Sequence, residues 1–63
     1  MVRDLDQALC FASYGGYLEI VKFLATHGAD VRTRDDMAFK WATDKGHLAV
    51  AKYLINQPAY NEL

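Results

Sequence analysis

Apolar side chains recur at helical spacing in two stretches of the chain. From Leu18 to about His27, Leu18, Val21, Leu24 and Ala25 fall on one face at intervals of three and four, while Glu19, Lys22 and Thr26 lie away from it. From Leu48 to about Gln57, Leu48, Ala51, Leu54 and Ile55 make the matching face, with Lys52 and Asn56 outside it. Each reads as an amphipathic outer helix. Pro58 stops the second, because proline has no N–H to continue the hydrogen-bond ladder. Ahead of the first, Ala8 to about Tyr14 is apolar on most sides, the pattern of a short inner helix sandwiched between neighbours, with Asp6 placed to cap it. Gly15-Gly16 breaks that helix. Gly16 suits the left-handed residue that follows a helix end, and Gly46 stands at the same place in the second half.

The two halves are copies. When residues 8–31 are laid on residues 38–61 with a shift of 30, seven of the 24 pairs are identical: Ala8/Ala38, Ala12/Ala42, Gly16/Gly46, Leu18/Leu48, Lys22/Lys52, Leu24/Leu54 and Ala29/Ala59. Unrelated sequence would give roughly one or two. Leu9/Phe39, Phe11/Trp41, Ser13/Thr43, Ile20/Val50 and Phe23/Tyr53 keep bulk or polarity, as a shared packing environment requires. Ala12 and Ala42 sit where the short helix crosses the longer one, and a larger side chain there would push the axes apart. The pattern predicts a single all-α domain over residues 1–63, with repeat 1 at 8–31, repeat 2 at 38–61, and 1–7 as part of a preceding loop. Residues 2–7 echo residues 31–37, so the chain reads as a piece of a longer array.

Both copies resemble ankyrin repeats. The resemblance rests on Gly46-His47-Leu48, on Leu18-Glu19-Ile20-Val21-Lys22-Phe23-Leu24 and on Gly28-Ala29-Asp30-Val31, which match the family's turn, outer helix and helix-ending loop, and the two copies cover about four-fifths of the chain. It implies a helix-turn-helix stack, a fragment of an α-solenoid. The family's Thr-Pro-Leu-His opening is replaced by Gln7-Ala8-Leu9-Cys10 and Met37-Ala38-Phe39-Lys40, which removes the proline that presets the first turn and the histidine that ties loops together. Arg32-Thr33-Arg34-Asp35-Asp36 replaces a longer finger and shortens the repeat from about 33 residues. A compact loop is therefore expected in place of a β-hairpin. This short form is similar to divergent ankyrin repeats of large viruses of protists and of some bacteria that live inside cells.

Composition narrows the function classes. With 52% apolar and 24% charged residues the chain suits a folded domain and not a disordered segment. Seven Lys and Arg face eight Asp and Glu, so there is no broad positive field to draw in nucleic acid or an anionic membrane surface. The lone Cys10 has no internal disulfide partner, which favours a cytoplasmic, intracellular setting; a viral or effector-like source would make that the host cytoplasm. No signal-like run opens the chain, and no apolar stretch approaches the ~20 residues needed to span a bilayer.

Catalytic and metal chemistry find little support. His27 and His47 have no Ser or Cys nearby in sequence, no paired carboxylates accompany them on a helix face, and no Cys or His pair has zinc-ligand spacing. Cys10 reads as a small buried hydrophobe, and Gly15-Gly16 as a turn without a phosphate-loop pattern around it. No catalytic residue, metal or cofactor is expected.

The resemblance implies a module that binds an unidentified protein partner along loop tips and the exposed side of the inner helices. By position that surface comprises Tyr14, Arg32, Arg34, Asp35, Lys40, Trp41, Asp44 and Lys45. Trp41 also reads as packing between adjacent inner helices, because Phe11 fills its place in copy one. Two rival readings are a structural segment or degenerate remnant of a longer array, and a minimal enzyme or small-ligand binder. A chain of 63 residues buries only roughly 60% of its unfolded surface, and about three repeats are usually needed for a stable stack, so if these residues stand alone, self-association through uncapped ends is expected.

Overall fold

Two helical hairpins stand side by side in the computed structural model, which describes residues 4–60. The first is α1, Asp4–Gly15, and α2, Leu18–Thr26; the second is α3, Thr33–Asp44, and α4, Leu48–Ile55; a single 3-10 turn, Pro58–Tyr60, follows. Helix α1 lies against α3 and α2 against α4, so the inner and outer helices form two layers. Among the described residues there is no strand.

The hairpin turns are built the same way twice. Gly16 and Gly46 both have φ of 78°, a left-handed conformation that costs a side chain free energy and glycine little. The N–H of Tyr17 then bonds the Ala12 carbonyl at 2.9 Å, and that of His47 the Ala42 carbonyl at 2.8 Å, which satisfies an acceptor at each helix end. A Cβ on Gly16 would run into the His47 ring; at Gly46 the same place is open. The outer helices stop at Thr26 and Ile55, a residue or two before the expected ends at His27 and Gln57. His27 and Gln57 instead turn back on their own helices: His27 Nδ1 lies 2.9 Å from the Phe23 carbonyl and Gln57 Nε2 donates to the Tyr53 carbonyl at 3.0 Å.

The core runs through all four helices, with Leu9, Val21, Ala38, Ala42 and Leu54 shut off from solvent. Alanines at 12, 38, 42 and 51 let the helix axes approach. Ser13 is the one buried polar side chain among the described residues, and its hydroxyl donates to the Leu9 carbonyl one turn back at 2.8 Å.

Two features depart from the sequence reading. Helix α1 starts at Asp4, so residues 4–7 are helical and not part of a preceding loop, and Asp6 does not cap it; its carboxylate accepts the backbone N–H of Asp30 at 2.8 Å, 24 residues away. Thirty residues on, the Asp36 carboxylate accepts the Tyr60 hydroxyl at 2.6 Å, across the same 24-residue span. These bonds fasten the loop after each outer helix to the start of the inner helix of the same unit. They supply a tie between loops that does not depend on the missing threonine, proline and histidine.

The short loop between the hairpins holds a left-handed turn. Arg34, Asp35 and Asp36 have φ of 54°, 60° and 67°, and right-handed helix resumes over residues 37–44. Each non-glycine residue in this region costs roughly 1–2 kcal/mol, least for aspartate, so three in a row demand compensation. It comes from the Asp30 carboxylate accepting the Arg32 N–H at 3.0 Å, the Arg32–Asp36 ion pair at 2.9 Å and the Asp36–Tyr60 bond.

Candidate functional site

On α1, Phe11 and Tyr14 lie three residues apart and share a face. One helix over, Trp41 occupies the position of Phe11, and stacking the hairpins sets the two rings 6.2 Å apart between centroids, tilted by 30°. Tyr14 meets the same indole edge-on at 5.3 Å. Lys45 follows the end of α3, one helical turn beyond Trp41, and its ammonium stands 4.7 Å from the centre of the Tyr14 ring. The cluster is thus an aromatic trio with a cation on its rim. Edge-to-face rings contribute about 0.5–1.5 kcal/mol each beyond their burial, and an exposed cation over a ring about 0.5–1 kcal/mol.

Trp41 is half-buried in this cluster and packs against both Phe11 and Tyr14. Phe11 and Tyr14 remain 57% and 47% exposed, so the pair presents ring surface to solvent while each ring contacts the indole. Phe11 was not among the residues read from the sequence as a surface; its equivalence to Trp41 was the available signal. Asp44 lies exposed beside Lys45.

Arg32, Arg34 and Asp35 lie at the start of α3, and Lys40, next to Trp41 in sequence, is ion-paired back towards them. Lys40 and Asp35 are exposed and form an ion pair at 3.4 Å, and Arg34 is exposed in the left-handed turn. Arg32 is turned into the loop. Its guanidinium donates to both Asp36 carboxylate oxygens at 2.9 and 3.3 Å and to the Ala59 carbonyl at 3.4 Å, and it covers the Tyr60 ring at 4.6 Å. That arrangement holds two loops together.

Hydrogen bonding shapes the titration of this loop. The Arg32 and Tyr60 donors hold the Asp36 carboxyl below the ordinary carboxylate value, and burial followed by the neighbouring Asp36 carboxylate pushes the Tyr60 hydroxyl up from 10.0 to about 12. A raised tyrosine contributes stability that is complete below its unfolded pKa and disappears as pH climbs through its folded one. The gap in unfolding midpoint between the native chain and Tyr60→Phe is therefore expected to be constant up to pH 10 and to close as pH passes about 12, which urea titrations at a series of alkaline pH values would read.

The histidines and the thiol serve the fold. His47 Nε2 lies 3.1 Å from the Tyr14 carbonyl, so the hairpins are tied at this turn, and His27 faces the Phe23 carbonyl. Carbonyl oxygens only accept, so Nε2 of His47 and Nδ1 of His27 each carry a hydrogen. Cys10 is buried, and burial pushes its thiol pKa up, away from the reactive thiolate. Among the described residues no three His, Cys, Asp or Glu side chains converge as a metal site, and no helix is long and apolar enough to cross a membrane.

A family model described as ankyrin repeats (3 copies) matches residues 2–62. Comparison with curated proteins finds no match, and neither does comparison with solved structures.

Proposed function

Because the chain belongs to the ankyrin-repeat family, whose members are generally protein–protein interaction modules, we propose that it binds a protein partner through the exposed side of its inner helices, without catalysis. The observation that carries this reading is the Phe11–Tyr14–Trp41 cluster with Lys45 on its rim. Aromatic rings held rigidly at a surface lose little conformational freedom when covered, which is why such residues dominate interface energetics. Lys40 and Asp44 are the exposed charges nearest Trp41 on α3, with Arg34 and Asp35 at the start of the helix, and such charges govern approach and discrimination more than affinity.

The test compares capture from a cell lysate by the native chain, a Tyr14→Ala, Lys45→Glu double variant and a Lys52→Glu variant on the outer helix α4. Lys52, Tyr14 and Lys45 are all exposed, so none of the changes disturbs the core. A protein held by the native chain and by Lys52→Glu, but reduced at least tenfold with the double variant, is the expected result. Equal capture by all three would sink the assignment of this face.

A further inference from the structure

Residues 33–36 read Thr-Arg-Asp-Asp, just ahead of Met37, Ala38 and Phe39. That spacing is a capping box. A threonine at the N-cap accepts the backbone N–H of the third helical residue, whose carboxylate reaches back to the threonine N–H, and acidic residues in the first turn suit the helix dipole. Local chemistry therefore asks for right-handed helix from Thr33 onwards. The fold holds another arrangement. Arg34, Asp35 and Asp36 are left-handed, no side-chain hydrogen bond caps the start of α3, and the Thr33 N–H bonds the Asp30 carbonyl at 3.1 Å. The Asp36 carboxylate that the box needs is engaged by Arg32 and Tyr60.

The two arrangements pair the surface charges differently. With the left-handed turn in place, Asp35 meets Lys40 at 3.4 Å. In a right-handed helix, residues five apart stand about 140° apart around the axis, and the carboxylate placed to meet Lys40 is that of Asp36, four residues back. Arg32, now 2.9 Å from Asp36, would lose that partner.

We propose that residues 33–36 are a two-state junction: docking of the turn Pro58–Tyr60 on Asp36 holds the left-handed form, and its withdrawal lets the capping box form, which lengthens right-handed α3 by a turn and passes Lys40 from Asp35 to Asp36. The left-handed form places three non-glycine residues in a disfavoured region and is kept by bonds to Tyr60 and the Ala59 carbonyl, 24 and 27 residues away from Asp36 and Arg32. The right-handed form needs only sequence neighbours. A segment whose local and tertiary preferences oppose each other is one whose populations a small change can shift. The consequence for a partner, which meets Asp35 and Lys40 either paired or apart, rests on reading α3 as part of the binding face; the junction itself does not.

Arg32→Gln combined with Tyr60→Phe takes both donors from Asp36, and nuclear magnetic resonance reads the outcome without any partner. In the native chain the nuclear Overhauser effect between a residue's own amide and Hα hydrogens is expected to be strong at 34, 35 and 36, since positive φ brings the two together. In the double variant it falls to the level of the other helical residues. Glycine and alanine at position 35 supply a second readout: the Asp35 side chain is 92% exposed, so the two replacements differ through the backbone alone. By urea titration Asp35→Gly should exceed Asp35→Ala in folded-to-unfolded ratio about fivefold in the native chain, and fall below it by about as much in the double variant. Tyr60→Phe alone, the milder change should the double variant unfold, narrows the native gap at least twofold. Strong effects at 34–36 in a folded double variant, an unchanged gap in Tyr60→Phe, or alanine preferred to glycine in the native chain would each overturn the proposal.

Discussion

Leu54→Ala is expected to remove half or more of the stability of this protein. Leu54 is completely buried on α4, in one apolar cluster with Val21, Leu24 and Val50, and truncating such a leucine costs about 2–5 kcal/mol through lost burial and the cavity left behind. At the usual stability per residue, a chain of 63 residues has roughly 3–9 kcal/mol in total. The loss is therefore comparable with the whole. Urea titration followed by circular dichroism should show the midpoint falling by at least half, and a midpoint within a tenth of the native value would show that the two layers do not depend on this contact. Leu48→Ala is the contrast: at 68% exposure the same chemical change should cost less than about 0.5 kcal/mol.

Ala42→Leu is expected to be nearly as damaging in the opposite sense. Ala42 is fully buried on α3, and its carbonyl accepts the His47 N–H that closes the second hairpin turn, so side chain and backbone are both pinned. Adding three carbons there forces the helices apart, at a typical cost of about 1–3 kcal/mol and more where the site cannot relax. Ala12→Leu at the matching crossing, 5% exposed, should behave alike. The informative control is Ala42→Gly, which leaves the space and weakens only the helix, by about 1 kcal/mol. If leucine proves no worse than glycine at either position by thermal melting, the crossings are looser than their burial implies.

How much of this was readable from the amino-acid order depends on how local each cause is. The amphipathic outer helices, the left-handed glycines at 16 and 46 and the small residues at 12 and 42 leave periodic or compositional marks, and the helix pairs follow from them. The exchange of Asp6 from cap to loop fastener leaves none, because an aspartate before an apolar helix looks the same whether it bonds its own helix or an N–H 24 residues away. The echo of residues 2–7 in residues 31–37 sets Asp6 opposite Asp36 but says nothing of what either bonds. The left-handed turn at Arg34–Asp35–Asp36 contains no glycine and is held by tertiary bonds, so neither spacing nor residue type announces it. For the surface, the sequence reads Tyr14 and Trp41 as inner-helix positions, but whether Trp41 packs or presents depends on the distance between two hairpins. It packs against both Phe11 and Tyr14 while staying only half-buried.

The paired fasteners also define where the protein can be cut and lengthened. Asp6 closes on Asp30 and Asp36 on Tyr60, so each bond begins and ends inside one thirty-residue block and none straddles the seam between blocks. A gene-level duplication with its joints between residues 31 and 35 would carry a whole clasp with every inserted block, whereas joints a few residues later would separate Asp36 from Tyr60. Arrays extended by the first route should gain cooperativity with each block, and those extended by the second should begin with a frayed hairpin.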